Sequence, residues 1–181
     1  VGFGVVLFAA PGVMVTGNQI GGAGAGAANV IGHNTSAGIG AEGPGVVGNV
    51  IDGNLIGVDA DAEPAPNGQV GILFRNGPSG NQIGALDLDG ESTEFPGNYI
   101  AFQPLGVALG DFTGGNDVTY NTFGGQPGAY LPVDLGANGP TANDAGDFDE
   151  GPNRVQNTPE ILATPVDGNR VTVHYRVDTA A

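Results

Sequence analysis

The sequence predicts an all-β fold: a parallel β-helix, wound as a single-stranded solenoid of about five coils, with one extra strand at its C-terminal end. Two repeated phrases and a missing periodicity carry this expectation. A phrase of the form Gly-Asn-x-hydrophobic-Gly returns as GNQIG at Gly17 to Gly21, NVIG at Asn29 to Gly32, GNVIDGNLIG at Gly48 to Gly57, GNQIG at Gly80 to Gly84, GNYIA at Gly97 to Ala101 and NDVTYNTFGG at Asn116 to Gly125. A second phrase, glycine followed by alternating apolar residues, begins at Gly4, Gly38, Gly71 and Gly106, at spacings of 34, 33 and 35 residues. Almost no segment shows the 3.6-residue spacing of a helix. A period of this length means similar units that bury their apolar faces against one another.

Taken in order, Val1 to Val15 is an apolar run without a basic flank, interrupted by Pro11 and shorter than the ~20 residues of a spanning helix; it predicts two strands of the first coil. The second period predicts strands near Ile39–Ala41, Val50–Ile51 and Leu55–Val58, the third near Ile72–Phe74, Gln82–Gly84 and Tyr99–Phe102, all punctuated by Gly, Asn and Pro. Ile20, Ile51, Ile83 and Ile100 are expected inside, with Val50, Ile56, Leu73, Val107 and Phe123. Stacking would place equivalent residues about 4.8 Å apart. At that spacing Asn18, Asn49, Asn81 and Asn116 would form one hydrogen-bonded ladder, and Asn54, Asn98 and Asn121 a second. Leu131-Pro-Val-Asp-Leu-Gly reads as a last inward strand. A long polar loop follows, and then Val171, Val173, Tyr175 and Val177 alternate with polar residues as in a strand with one wet face. The expected divisions are coils over 1–136, an acidic terminal loop or cap over 137–165, and over 166–181 a strand of a cap or of a following β-sandwich.

The 35 glycines and 13 prolines would suggest low complexity were they not periodic. Nineteen acids face four arginines, Arg75, Arg154, Arg170 and Arg176, for a net charge of -15 without a single lysine. Such a surface repels phosphate backbones and anionic lipid heads, which argues against nucleic acid and membrane partners, and it attracts divalent cations, calcium first. Without cysteine there is no disulfide framework and no thiolate site.

Two longer stretches, GNVIDGNLIGVDADAEPAPNGQVGI and the terminal VDLGANGPTANDAGDFDEGPNRVQNTPEIL, resemble the right-handed parallel β-helix repeat regions of large bacterial secreted and surface proteins, in the broad pectate-lyase-like superfamily. The resemblance spans roughly residues 4 to 165. It implies a right-handed coil, an extracellular or cell-surface setting, and a frequent downstream β-sandwich.

For chemistry, the terminal segment offers Asp144, Asp147, Asp149 and Asn153 as a calcium set, because calcium takes six to eight hard oxygens from a flexible loop. The loops with Asp59, Asp61 and Glu63, and with Asp87, Asp89 and Glu91, are weaker versions. Polysaccharide lyases and hydrolases share the superfamily's fold, but of the four arginines only Arg75 lies within the coils, expected to point outward at Asp111. His33 lies in Gly-His-Asn, not in the Gly-His-Gly of polygalacturonase-like enzymes, and His174 is expected at the surface. The sequence therefore favours a noncatalytic extracellular segment with a structural, adhesive or self-assembling role. A carbohydrate-active domain is the alternative. The open ends of a coil stack, with unpaired strand edges, suggest end-to-end contact with own copies or further coils, and an outer face could meet surface glycans.

Overall fold

The structure is a computed structural model and describes residues 2–22, 24, 26–85, 97–125, 131–147 and 150–178. The chain runs in successive rounds. The first contains β1 (Phe3–Phe8), β2 (Val15–Thr16), β3 (Gln19–Gly21) and β4 (Val30–Ile31). The second contains β5 (Ala37–Glu42), β6 (Val46–Val47), β7 (Val50–Asp52) and β8 (Leu55–Ile56). The third contains β9 (Val70–Arg75), β10 (Gln82–Ile83) and β11 (Tyr99–Ala101), the fourth β12 (Leu105–Leu109), β13 (Asp117–Val118) and β14 (Thr122–Gly124), and β15 (Leu131–Leu135) follows.

Each strand pairs with its equivalent one round away, always parallel. The largest sheet has the order β1-β5-β9-β12-β15, a second β13-β10-β7-β3 and a third β14-β11-β8-β4. The period in the sequence is this pairing: Phe3 lies beside Ala37, Ala37 beside Val70, and Val70 beside Leu105. The described residues form no α-helix, only a 3-10 turn at Pro152–Val155. No helix among them is long and apolar enough to cross a membrane.

The alternation within each strand decides what is buried. Val5, Ile39, Ile72, Val107 and Val133 share one register position of the large sheet, and Leu7, Ala41, Phe74, Leu109 and Leu135 another; both rows belong to the main core. Ile20, Ile51, Ile83 and Val118 supply it from the second sheet, and Ile31, Ile56, Ile100 and Phe123 from the third. Ile100 thus stacks on Ile56, not in the row of Ile20, Ile51 and Ile83. Leu73 and Val50, unlike Ile100, depart from expectation. Leu73 joins a separate cluster with Phe3, Ala37, Val70, Leu105 and Ala108, while half-buried Val50 is not part of the core. The periodic pattern gives faces only where a strand spans several residues, and β7 is too short to fix one. A fourth stacked contact, β2 on β6, was not legible at two residues per strand; it continues as single bridges through Ser79 and Gly114.

Asparagines at the corners bind the rounds together. Asn49 Oδ1 accepts both the main-chain N–H (3.0 Å) and Nδ2 (2.8 Å) of Asn18, Asn81 Oδ1 those of Asn49, and Asn116 Oδ1 those of Asn81. The second amide hydrogen of Asn49, Asn81 and Asn116 goes to the carbonyl of Val15, Val46 and Pro78, one round back. A second ladder runs Asn29, Asn54, Asn98, Asn121, one rung longer than expected. A third, unforeseen, joins Asn34 to Asn67, with Gln103 next in line donating to Ile56 O. Burying an amide unpaired costs about 1–3 kcal/mol, and the ladders remove that cost by pairing each carboxamide with its neighbour.

Rungs of the second ladder are 25, 44 and 23 residues apart, yet their side-chain bonds measure 2.9, 2.8 and 2.9 Å. Between the two ladders the chain turns directly from Asn49 to Asn54 and from Asn116 to Asn121. From Asn18 to Asn29 and from Asn81 to Asn98 it takes a longer excursion. The closing glycine of the phrase has a separate cause. Gly57 and Gly84 hold φ of 87° and 101°, and a Cβ there would run into the carbonyl oxygens of Ala101 and Thr119 in the next round.

Beyond residue 159 the pairing turns antiparallel: β16 (Glu160–Ala163) with β19 (His174–Arg176), and β17 (Val166–Asp167) with β18 (Arg170–Val171). The expected strand over 171–177 is broken at Thr172 and Val173, where the Thr172 N–H turns to Pro165 O. It also has no dry face, since every residue from 160 to 176 is exposed.

Candidate functional site

The terminal motif folds over the end of the stack beside β15. Two asparagines close it. Asn143 Oδ1 accepts the N–H and hydroxyl of Thr158, both at 2.9 Å, and its Nδ2 donates to Thr158 O. Asn157 Oδ1 accepts the Asp144 N–H at 3.0 Å, and its Nδ2 donates to Asp144 O and to Asp178 O. Asp134, buried in β15, uses Oδ2 to accept the Gly139 N–H at 2.9 Å, while its buried Oδ1 has no partner among the described residues. The motif is thus a clasp built from the side chains that recur in its sequence.

The expected calcium residues fall into different places. Asp144 is exposed and takes part through its main chain. Asp147 is buried, with Oδ1 accepting the Asn157 N–H at 2.9 Å. Asp149 lies outside the described residues, as do Asp87, Asp89 and Glu91. Asn153 Oδ1 accepts the Asn116 N–H at 3.1 Å and its Nδ2 donates to Asn116 O at 2.6 Å, which makes Asn153 a fifth rung of the first ladder. Its φ of 46°, followed by 59° at Arg154 and 48° at Val155, is a left-handed run costly for a branched residue such as Val155. Among the described residues no three His, Asp or Glu side chains gather as a metal-binding group. In the 59–63 loop, Asp59 Oδ1 instead accepts the N–H of Asp61 and of Glu63, an ordinary Asx turn.

Two clefts flank the clasp. One, of 270 Å³, is lined by Leu131, Val133, Leu135, Asn143, Asn157 and Thr158 among others; no ionisable residue is among the described residues that line it. It can hold an apolar or amide-bearing group but supplies neither acid nor base. The other, of 410 Å³, sets Asp111 and Glu150 about Phe112, Thr113 and Pro152. Phe112 is 86% exposed and holds a φ of 62°, an uncommon backbone for a bulky residue. Sequence reasoning missed this cleft, because its two acids are 39 positions apart in the chain.

Arg75 does not reach for Asp111. Its guanidinium pairs with Glu42 Oε2 at 2.9 Å on the preceding round and lies 5.9 Å from the centre of the Phe3 ring. That hydrogen bond, helped by Asn76, holds the Glu42 carboxyl below the usual carboxylate range. Register explains the choice: Glu42 and Arg75 are direct neighbours in the β5–β9 pairing. His33 and His174 are both exposed. Compared with protein-family models, curated proteins and solved structures, the chain finds no match.

Proposed function

We propose that the chain is a structural segment of an extracellular or cell-surface protein: a right-handed parallel β-helix of about five coils whose role is to hold its ends apart and present its outer faces. The observation that supports this reading is the allocation of polar groups. Thirteen asparagine carboxamides, eleven from Asn18 to Asn153 in three ladders and Asn143 and Asn157 in the clasp, are committed to bonds between rounds or across the terminal loop. Side chains spent on one another stiffen a stack and are not available for turnover.

Calcium belongs to the same reading, held by Asp144, Asp147 and Asp149. A share for Asn153 would come at the expense of its bond to Asn116. Chelation is expected to lower the melting temperature, and an unchanged temperature with and without calcium removes the metal from the reading. For the structural role itself, single-molecule stretching is expected to show resistance lost round by round. A single low-force opening of the whole stack would count against it.

The cleft around Phe112 favours a second reading, binding of surface glycans, because an exposed ring flanked by carboxylates is a stacking platform with hydrogen-bond acceptors beside it. A glycan panel probed with the protein and with Phe112→Ala tests it: binding that survives the substitution places any glycan elsewhere.

A further inference from the structure

The two ends of the stack differ in what they leave unsatisfied. Within each ladder a rung's Oδ1 accepts from the round before it, so the ladders have a direction. At the first round this leaves three acceptors over. Among the described residues, nothing donates to the Oδ1 of Asn18, Asn29 or Asn34. At the far end the first ladder is closed by Asn153. The strand edges agree: β1, β3 and β4 each have a partner on one side only.

The first round is also unprotected. Edge strands are usually kept from further pairing by charge or proline. Here the first 41 residues contain no Asp, Glu, Lys or Arg, in a chain of net charge -15. The inward residues Leu7 and Ile20 are 9% exposed, against 0% at Ile51, Ile72 and Ile83. A long, uncharged edge with core residues not fully covered is a surface suited to burial.

We infer that the face formed by β1, β3 and β4 is a docking surface for one further parallel round of the same chemistry, carrying asparagines before its second and third strands. Hydrogen-bond polarity identifies the occupant. It must offer N–H and Nδ2 donors to Asn18 and Asn29 at the ladder spacing, as Asn49 and Asn54 offer theirs to Asn81 and Asn98. A second copy stacked head to tail would present Asn153, the last rung of its first ladder, with its N–H already given to Thr113 O and its Nδ2 to Asn116 O, beside the acidic clasp. Two copies meeting face to face would set acceptor against acceptor. The inference rests on the parallel pairing and is independent of calcium or glycan binding.

The test joins a copy of residues 37–69 directly to Phe3, in place of Val1 and Gly2, and follows amide hydrogen exchange in residues 3–8, 19–21 and 30–31. Exchange there is expected to slow at least tenfold relative to the unextended chain. With Asn18→Ser and Asn29→Ser in the recipient round the slowing should be largely lost, while unchanged exchange at Ile72 and Ile83 shows that the later rounds remain folded. No slowing with the intact recipient overturns the proposal, as does equal slowing in the substituted one. Protection of the unextended chain that grows with protein concentration also overturns it, since a second copy would then be the occupant.

Discussion

The chain contains two kinds of β-structure made from similar residues. In β1 to β15, short strands of two to six residues pair in parallel over large sequence separations, and their apolar side chains are buried at almost every inward position. In β16 to β19, strands of similar length pair antiparallel with near neighbours, yet Ile161, Leu162, Val166, Val171, Val173 and Tyr175 are each at least half exposed. Hydrophobic residues are thus not what distinguishes a buried region from an exposed one. The stack has somewhere to put them, because each round covers the next, whereas a two-stranded ribbon has two faces and nothing against either.

The sharpest way to break the difference is at an interior rung. Asn81→Ala leaves the buried Asn49 N–H without its acceptor and takes one of two donors from Asn116 Oδ1 and from the Val46 carbonyl, so a loss of about 3 kcal/mol is expected by urea unfolding, at 1–3 kcal/mol for the stranded group and less for each lost bond. The same change at the open end should be mild. Asn18→Ala takes only one of two donors from Asn49 Oδ1, which keeps the main-chain N–H of residue 18, and the lost side chain is exposed, so about 1 kcal/mol or less is expected. In the ribbon, Ile161→Thr and Val171→Thr remove apolar atoms that are 65% and 60% exposed and should change stability by under about 0.5 kcal/mol. A larger effect would mean that these strands are covered in solution.

The smallest effect concerns pH. Glu42 is held below its ordinary value by Arg75, so it binds fewer protons in the folded state than in the unfolded one near pH 4. Its contribution is present above about pH 4.3, the unfolded value for a glutamate, and fades as pH falls through the lower folded value. Glu42→Gln should therefore lower the melting temperature slightly at neutral pH and leave it unchanged at pH values below the folded value, so that the acid limb flattens; the effect is small because an exposed pair is worth little.

How much of this was legible depended on whether a residue's role repeats. The all-β class, the period, the inward isoleucines and four rungs of the first ladder follow from phrases that recur, and recurrence reports stacking directly. Asn153 was legible as part of an oxygen-rich motif but not as a rung, because Asp147, Asp149 and Asn153 alternate as calcium ligands do while the ladder partner Asn116 lies 37 residues away. Leu73 was misplaced because alternation alone does not say which phase faces in. The partner of Arg75 was expected on the following round and lies on the preceding one, since either neighbour offers an acid and only the register chooses. The Phe112 cleft joins two stretches with no shared pattern, so no single-sequence signal could have found it.

The second ladder has a practical consequence. Rungs separated by 23 residues and by 44 close with the same side-chain geometry, so the length of chain between them is free to vary while the stack stays as it is. Chain entropy agrees, since doubling a flexible loop costs only about 0.6 kcal/mol. The corner between Asn18 and Asn29 is therefore a socket: a foreign peptide could be spliced into it on a scaffold whose glycines and asparagines never learn of the exchange.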